Sequence, residues 1–125
     1  TVKHLKNCKI PFFGAGYDIN EASKPYIINN DVGILGVSSP EPSGPRATKD
    51  LPGILSLHNA KTHIQKLSKN VKLTIISAHA GIEFFKLPAP EIKKIYQKYI
   101  DWGADIVIDN HPHVPQGFLD ILFQF

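Results

Sequence analysis

Cysteine and methionine are scarce in this chain, and long apolar runs are absent. Of its 125 residues, one is cysteine and none is methionine. Cys8 has no partner for an internal disulfide, and the lack of a second cysteine argues against a thiolate metal site. No stretch approaches the ~18 apolar residues of a membrane-spanning helix, and no signal peptide is recognisable. Because the chain starts at Thr1, we expect an internal start within a longer protein, so the sequence leaves the compartment unknown.

Concentrated positive charge is also missing. The formal net charge is +3, and charged residues make up 20% of the chain. No arginine cluster and no basic stripe with interleaved aromatic residues is present, which argues against a nucleic-acid partner. We interpret the lysines of the second half as solvated surface; they are Lys61, Lys66, Lys69, Lys72, Lys86, Lys93, Lys94 and Lys98.

Several common catalytic motifs are absent as well. The chain has neither a Gly-x-x-x-x-Gly-Lys phosphate loop nor a Gly-x-Ser-x-Gly nucleophile elbow. Gly14-Ala15-Gly16 lacks the third glycine of a dinucleotide fingerprint, so we interpret it as a tight turn. Cys8 has no evident partner for nucleophilic catalysis. The chemistry must therefore lie elsewhere.

The apolar pattern predicts one α/β domain over residues 1–125, with mostly parallel strands flanked by helices. Alternation of apolar strands with amphipathic helices is typical of parallel crossovers. Asn30-Asp31 is suited to the turn of a hairpin. We expect helices at 2–7, 19–22, 54–67 and from Pro90 to a cap at Gly103, and strands at 10–13, 26–29, 32–37, 71–77, 104–110 and 117–125.

Three histidines follow two of these strands. His79 comes after the apolar run 71–77, and His111 and His113 come directly after the run 104–110. The carboxyl ends of strands in an open α/β sheet are common ligand sites. The sequence therefore predicts that His79, His111 and His113 hold one divalent metal ion, for which manganese, zinc and iron are the candidates. Structural histidines bonded to the backbone are the alternative.

Polar neighbours could support such a site. Histidine ligands usually donate their second ring nitrogen to a carboxylate or carbonyl, and Glu83, Asp109 and Asn110 are nearby in sequence. Asp109 could itself be a ligand, whereas Glu83 could be a solvated loop residue. Asp105 lies near the start of its strand, away from this edge. We expect His4, His58 and His63 to be surface groups on helices.

Four segments carry a resemblance to a known family. The chain resembles the CapA-type poly-gamma-glutamate capsule biosynthesis proteins, within the calcineurin-like metallophosphoesterase superfamily. The similar segments are residues 13–16 with 21–25, 32–37, Ser-Ala-His-Ala-Gly-Ile-Glu-Phe at 77–84, and Trp-Gly-Ala-Asp-Ile-Val-Ile at 102–108 leading into His-Pro-His-Val-Pro-Gln-Gly at 111–117. The resemblance implies a partial metallophosphoesterase-like sandwich and a metal-dependent hydrolase, with His79 and His111 as catalytic residues and His79, His111 and His113 as metal ligands.

The chain also departs from that family. The superfamily builds a two-metal site from an early Asp-x-His, a Gly-Asp, an Asn-His and two later histidine segments, and only the later part is present. The chain therefore resembles the C-terminal part of such a protein. Two hypotheses stay open: a hydrolase-like domain acting in capsule polymer synthesis or export, and a non-catalytic binding or assembly module that keeps the fold without a complete metal site.

The resemblance also implies partners and a location. A polyanionic polymer or a phosphoester is the expected substrate, the capsule-synthesis machinery the expected partner, and the cell envelope or the space outside the cytoplasm the expected place. A truncated sheet would leave an unpaired edge strand, which natural domains avoid. We therefore expect self-association, or a monomer of low stability.

Overall fold

A four-stranded sheet forms the centre of the protein. The computed structural model describes residues 1–39 and 44–117. The helices are α1 (Val2–Asn7), α2 (Ile19–Ala22), α3 (Lys61–Ser68) and α4 (Pro90–Asp101), with a 3₁₀ helix at Leu57–Asn59. The strands are β1 (Ala15–Gly16), β2 (Tyr26–Ile28), β3 (Val32–Ser38), β4 (Gly53–Ile54), β5 (Leu73–His79) and β6 (Ile106–Asn110).

The strand order of the main sheet is β2-β3-β5-β6. β2 and β3 form an antiparallel hairpin, in which Asn29 and Asn30 take the positive φ angles of 50° and 60° that a tight turn needs. β3 pairs in parallel with β5, and β5 in parallel with β6. The sheet is thus mixed and mostly parallel, as the sequence predicts. β1 and β4 form a separate two-stranded ribbon.

The core lies on the face of the sheet that packs against α3 and α4. Leu35, Ile76 and Ala78 point to this face and are buried, as are Ile64 and Leu67 of α3. The list of buried core residues also includes Leu55, Leu57, Ala60, Tyr99 and Ala104. The Tyr99 hydroxyl is buried with them and donates a hydrogen bond of 2.7 Å to the Leu57 carbonyl. Burial of the ring raises the pKa of Tyr99, so the hydroxyl stays protonated and keeps this bond.

The prediction of a helix over 54–67 is wrong in its first half. Gly53 and Ile54 form a strand paired with Ala15 and Gly16. Two residues of the predicted tight turn at Gly14-Ala15-Gly16 therefore lie in a strand. The α-helix begins only at Lys61. Leu57, Ala60, Ile64 and Leu67 are nevertheless all buried, because the 3₁₀ turn and α3 keep them on one side.

Two other predictions have different outcomes. No strand forms at 10–13; the chain there leads into β1 without pairing. The predicted strand at 117–125 lies, beyond Gly117, outside the described residues. The remaining strands and helices are confirmed within a few residues of their predicted ends. Within the described ranges, no helix is long and apolar enough to cross a membrane.

Candidate functional site

The carboxyl ends of β3, β5 and β6 meet at one edge of the sheet. Ser38, the last residue of β3, pairs with His79, the last residue of β5, and His79 pairs with Asn110, the last residue of β6. The Ser38 hydroxyl donates a 3.1 Å hydrogen bond to the His79 carbonyl. Parallel pairing therefore places the segments after β5 and β6 side by side, as the sequence predicts.

Left-handed backbone is concentrated in these two segments. His111 has a φ of 110°, His113 of 59° and Phe84 of 63°. Such angles are uncommon outside glycine, and a non-glycine residue there costs of order 1–3 kcal/mol. Phe84 N–H donates a 2.8 Å hydrogen bond to the Pro112 carbonyl, which ties the two segments together. The strained turns aim the side chains of both segments toward each other.

Glu83, His111 and His113 come together at this edge. One ligand atom from each residue lies within 4.8 Å of the others. His113 Nε2 is 3.7 Å from Glu83 Oε1, and both side chains are more than half exposed. An exposed ion pair at this distance contributes little to stability. The cluster is therefore better suited to binding than to holding the fold together.

His79 lies beside this cluster. Its ring centroid is 4.9 Å from that of His111, with the ring planes tilted by 56°. In the described part of the chain, the compact donor set contains Glu83 and not His79. The all-histidine ligand set stays a prediction, and the structure adds Glu83, which the sequence predicts only as a supporting or solvated residue.

Asp109 lies behind the histidines, half-buried at the end of β6. Its Oδ1 atom is buried and has no hydrogen-bond partner among the described residues. Burial raises the pKa of Asp109, while Tyr96, the backbone amides of Asn110 and Ala80, and nearby His79 partly oppose that effect. The neighbouring Asn110 is exposed, and its Nδ2 makes a long contact of 3.5 Å with the Ala78 carbonyl.

Tyr96, on α4, lies near this site and is not among the predicted site residues. Its hydroxyl is buried and faces the Asp109 carboxyl without completing a hydrogen bond. Burial first, and the charge of Asp109 second, raise the pKa of Tyr96, so the phenol stays neutral. A tyrosine among isoleucines on the apolar side of a helix is a sequence signal for such a contact, because its buried hydroxyl needs a hydrogen-bond partner.

The donor set fits a divalent metal ion. Two imidazoles and one carboxylate are the ligands of several catalytic zinc sites and of non-haem iron sites. The unpaired Oδ1 of Asp109 is a further buried oxygen at the same edge. By contrast, Asp105 hydrogen-bonds to the Thr74 amide at the opposite end of the strands. His4 and His58 are exposed on helices, as predicted, whereas His63, also on a helix, is half-buried and not fully at the surface.

Comparison with known proteins gives a consistent picture. Residues 1–119 match the family described as bacterial capsule synthesis protein PGA_cap. The chain is 31% identical over 129 residues to capsule biosynthesis protein CapA of Bacillus anthracis, an alignment that covers 94% of this chain and 31% of the relative. It is 29% identical over 121 residues to PGA biosynthesis protein CapA of Bacillus subtilis (strain 168), covering 91% and 32%. The chain thus spans about a third of the length of these relatives. It belongs to the PGA_cap family of bacterial capsule synthesis proteins.

Proposed function

We propose that the chain is a metal-dependent hydrolase-like domain that acts in the synthesis or export of a capsule polymer. The observation that carries the proposal is the convergence of Glu83, His111 and His113 within 4.8 Å at the carboxyl edge of the sheet. Membership of a capsule synthesis family gives this edge a biological context. The capsule-synthesis machinery at the cell envelope is the proposed partner.

Each residue has a defined role in this proposal. Glu83, His111 and His113 would hold the cation, with His79 as the alternative ligand to Glu83. A bound cation would act as a Lewis acid on a phosphoryl or carbonyl oxygen of the substrate. When Glu83 is the third ligand, His79 is left free and exposed beside His111, and its imidazole can accept or donate a proton at the leaving group. Asp109 and Asn110 would keep the end of β6, and with it His111, in place.

A polyanionic substrate suits the electrostatics of the chain. The formal net charge is +3, and the sequence pI is about 9.0. Lys86 is exposed in the same β5–α4 loop as Glu83. A mild positive field favours the approach of a polyanion or a phosphoester. The named relatives, a capsule and a PGA biosynthesis protein, make a glutamyl polymer the first substrate to test.

A non-catalytic binding or assembly module is the second candidate. The side chains of Glu83 and His113 are more than half exposed, and a catalytic metal usually sits in a drier site. In the part of the chain that the structure describes, the compact donor set is enough for a single ion. Such a module would keep the fold and an ion-binding edge while acting through contacts with other proteins.

Calorimetric titration of the metal-free chain with Mn²⁺ and Zn²⁺ tests the proposal. We expect one ion per chain, with binding lost in a His79→Ala/His111→Ala/His113→Ala variant and kept in a His4→Ala/His58→Ala control. Single variants Glu83→Gln and His79→Ala then identify the third ligand. Hydrolysis of a phosphoester and of a glutamyl polymer is measured with the ion bound. Metal binding without hydrolysis would favour the module, and no binding would refute the metal site.

A further inference from the structure

The helical layer carries a larger positive charge than the whole chain. Residues 61–69 and 90–101, which contain α3 and α4, include six lysines and two acidic residues, Glu91 and Asp101. Their formal charge of +4 exceeds the +3 of the chain, so the remaining residues together carry −1. The helix face, as we name it, consists of these six lysines, all of them exposed: Lys61, Lys66, Lys69, Lys93, Lys94 and Lys98.

The two helices lie side by side, so the six lysines belong to one surface. A Cβ atom added to Gly103, just after α4, would lie 2.6 Å from Oγ of Ser68, at the end of α3. The Lys61 ammonium lies 5.8 Å from the centre of the Trp102 ring. Axes of directly packed helices are about 8–10 Å apart. One extended, flexible ligand can therefore contact the lysines of both helices.

The charges of the helix face are not compensated within the chain. In residues 1–39 and 44–117, none of the six lysines forms an ion pair. Lys94 and Lys98 are four residues apart, and Lys66 and Lys69 three apart, which are spacings at which like charges on a helix repel. Burial first, and the charge of Lys66 second, lower the pKa of His63. A surface with this positive field attracts negatively charged ligands.

The composition of the helix face favours one class of polyanion. No large apolar side chain is exposed on α3 or α4, whose residues are all described. A surface that enters a membrane interface combines its basic residues with exposed aromatic or aliphatic ones. Neither helix contains arginine, whose planar fork matches phosphate groups bidentately. Lysine is a point charge on a flexible stem, which suits a flexible polymer of carboxylates.

We infer that the helix face binds a polymer of carboxylates and holds it along the helices while one of its bonds lies at the carboxyl edge of the sheet. α4 begins at that edge, after the loop that follows β5, and extends away from it for about 18 Å. Several units of a long chain can thus contact lysines outside the donor set, whereas a short substrate cannot. The identity of the polymer as a glutamyl chain rests on the proposed function, but the charge of the face does not.

Binding of fluorescently labelled poly-γ-glutamate, measured by anisotropy in metal-free buffer at several salt concentrations, tests the inference. A labelled glutamyl trimer is the short reference. The face variant replaces four exposed lysines of the helix face: Lys66→Gln, Lys69→Gln, Lys94→Gln and Lys98→Gln. The control variant removes the same charge from four exposed lysines elsewhere: Lys3→Gln, Lys9→Gln, Lys24→Gln and Lys49→Gln. Any difference between the variants therefore reflects the position of the charges.

We expect the face variant to bind the polymer at least about tenfold more weakly than the parent, with a shallower salt dependence, and the control variant to bind within about twofold of it. Equal losses in both variants would show attraction by net charge alone and would overturn the inference. Parent binding that is absent, or no tighter for the polymer than for the trimer, would also overturn it. Binding to phosphatidylglycerol vesicles without binding to the polymer would instead show a membrane partner, with the same consequence.

Two controls separate this inference from the metal site and from folding. The face variant should keep the Mn²⁺ or Zn²⁺ affinity of the parent, since none of its substitutions lies at the carboxyl edge, so failure of the metal site and failure of the helix face are distinct results. Its melting temperature should equal or exceed that of the parent, because repulsion between lysines is removed.

Lysine acetylation of the parent provides a second measurement that needs no variant. With the polymer bound, Lys66, Lys94 and Lys98 should react more slowly than in the free chain, because their ammonium groups are in contact with carboxylates. Lys3 and Lys9 should react at unchanged rates. Equal protection of both groups, or protection of neither, would refute the assignment of the binding surface.

Discussion

The two ends of the parallel strands are built differently. At the amino end, Asp105 Oδ2 accepts a 2.7 Å hydrogen bond from the Thr74 amide, and the Asp31 carbonyl accepts bonds from the amides of Lys72 and Leu73. At the carboxyl end, His111, His113 and Phe84 have positive φ angles, and Asp109 Oδ1 is buried without a partner among residues 1–39 and 44–117. The named amides at the amino end are hydrogen-bonded, whereas the carboxyl end combines a strained backbone with one buried carboxylate oxygen that lacks a partner in the described structure.

This difference separates stability from function within one sheet. Hydrogen bonds to buried amides lower the free energy of the folded chain, because each amide would otherwise be desolvated without compensation. A strained backbone and a buried carboxylate oxygen without a partner raise it, and they persist where a ligand or a reaction requires that geometry. Substitutions at the two ends should therefore affect different measurements.

The largest expected effect is on metal affinity, at the carboxyl end. His113→Ala should weaken Mn²⁺ or Zn²⁺ binding at least about 100-fold, because a direct ligand is lost. Loss of a residue that only supports a ligand already weakens metal binding by about 10–100-fold. The free energy of unfolding without metal should change by less than about 0.5 kcal/mol, because the ring is exposed. Calorimetry and urea denaturation measure the two quantities. A large loss of stability with unchanged affinity would contradict the division between the two ends.

Asp105→Ala should show the reverse behaviour at the amino end. The Thr74 amide is buried with its residue and would lose its 2.7 Å partner. We expect a loss of about 1–3 kcal/mol in the free energy of unfolding, with metal affinity unchanged. Asp101→Ala is the matched control, because Asp101 is exposed and accepts only from Gln97. Equal effects of the two substitutions in urea denaturation would refute the role of Asp105.

A smaller effect is expected from His111→Gly. Glycine takes a φ of 110° without steric cost, so this change should raise the free energy of unfolding by about 1 kcal/mol while removing a metal ligand. Gly81→Ala, at a φ of 107° in the neighbouring segment, should lower it by a similar amount. Thermal melts of the metal-free proteins give both values. A His111→Gly variant less stable than His111→Ala would show that the strain is absent.

The smallest expected effect is on the pH dependence of stability, and it comes from Glu21, away from both ends of the parallel strands. A hydrogen bond and an ion pair with Lys6, and the Tyr17 amide at 2.8 Å, hold the pKa of Glu21 below its usual 4.5. The carboxylate therefore stabilises the fold above pH 4.5, and this contribution is lost as the pH falls through the lowered pKa. Glu21→Gln should remove at most about 1 kcal/mol at pH 7 and flatten the decline of stability in acid. Urea denaturation between pH 3 and 7 measures it, with Glu91→Gln as the control; parallel curves would contradict the assignment.

The elements that sequence could predict are those with a local signal. β3, β5 and β6 are apolar runs, and the Asn30-Asp31 junction and the helix after Pro90 have recognisable turn and helix-start residues. Pairing between Ala15-Gly16 and Gly53-Ile54 has no such signal, because it joins residues far apart in the chain. The glycines in both segments are as compatible with a turn or a loop as with a strand. The β1–β4 ribbon could therefore be identified only from the three-dimensional structure.

The candidate site was predictable in place but not in composition. Strand ends located His79, His111 and His113 at one edge, since parallel pairing brings such ends together. The position of Glu83 depends on the path of the loop after His79, which the Phe84–Pro112 hydrogen bond sets. Tyr96 meets Asp109 only because α4 packs across the sheet near β6. Contacts of this kind arise from tertiary packing and are not encoded in local spacing.

The parallel pairing of β3, β5 and β6 also has a consequence for how the chain folds. The β2–β3 hairpin joins neighbouring residues and can form in about 1–10 μs. The contact between Ser38 and His79 spans 41 residues, and that between Thr74 and Asp105 spans 31, so long loops must close before the sheet is complete. Such non-local topologies fold slowly. During that delay the hairpin exposes Tyr26, Ile28 and Ile34, and these side chains can associate with other unfolded chains. The yield of native protein therefore depends on the concentration at which the protein is made, as well as on the stability of the native fold.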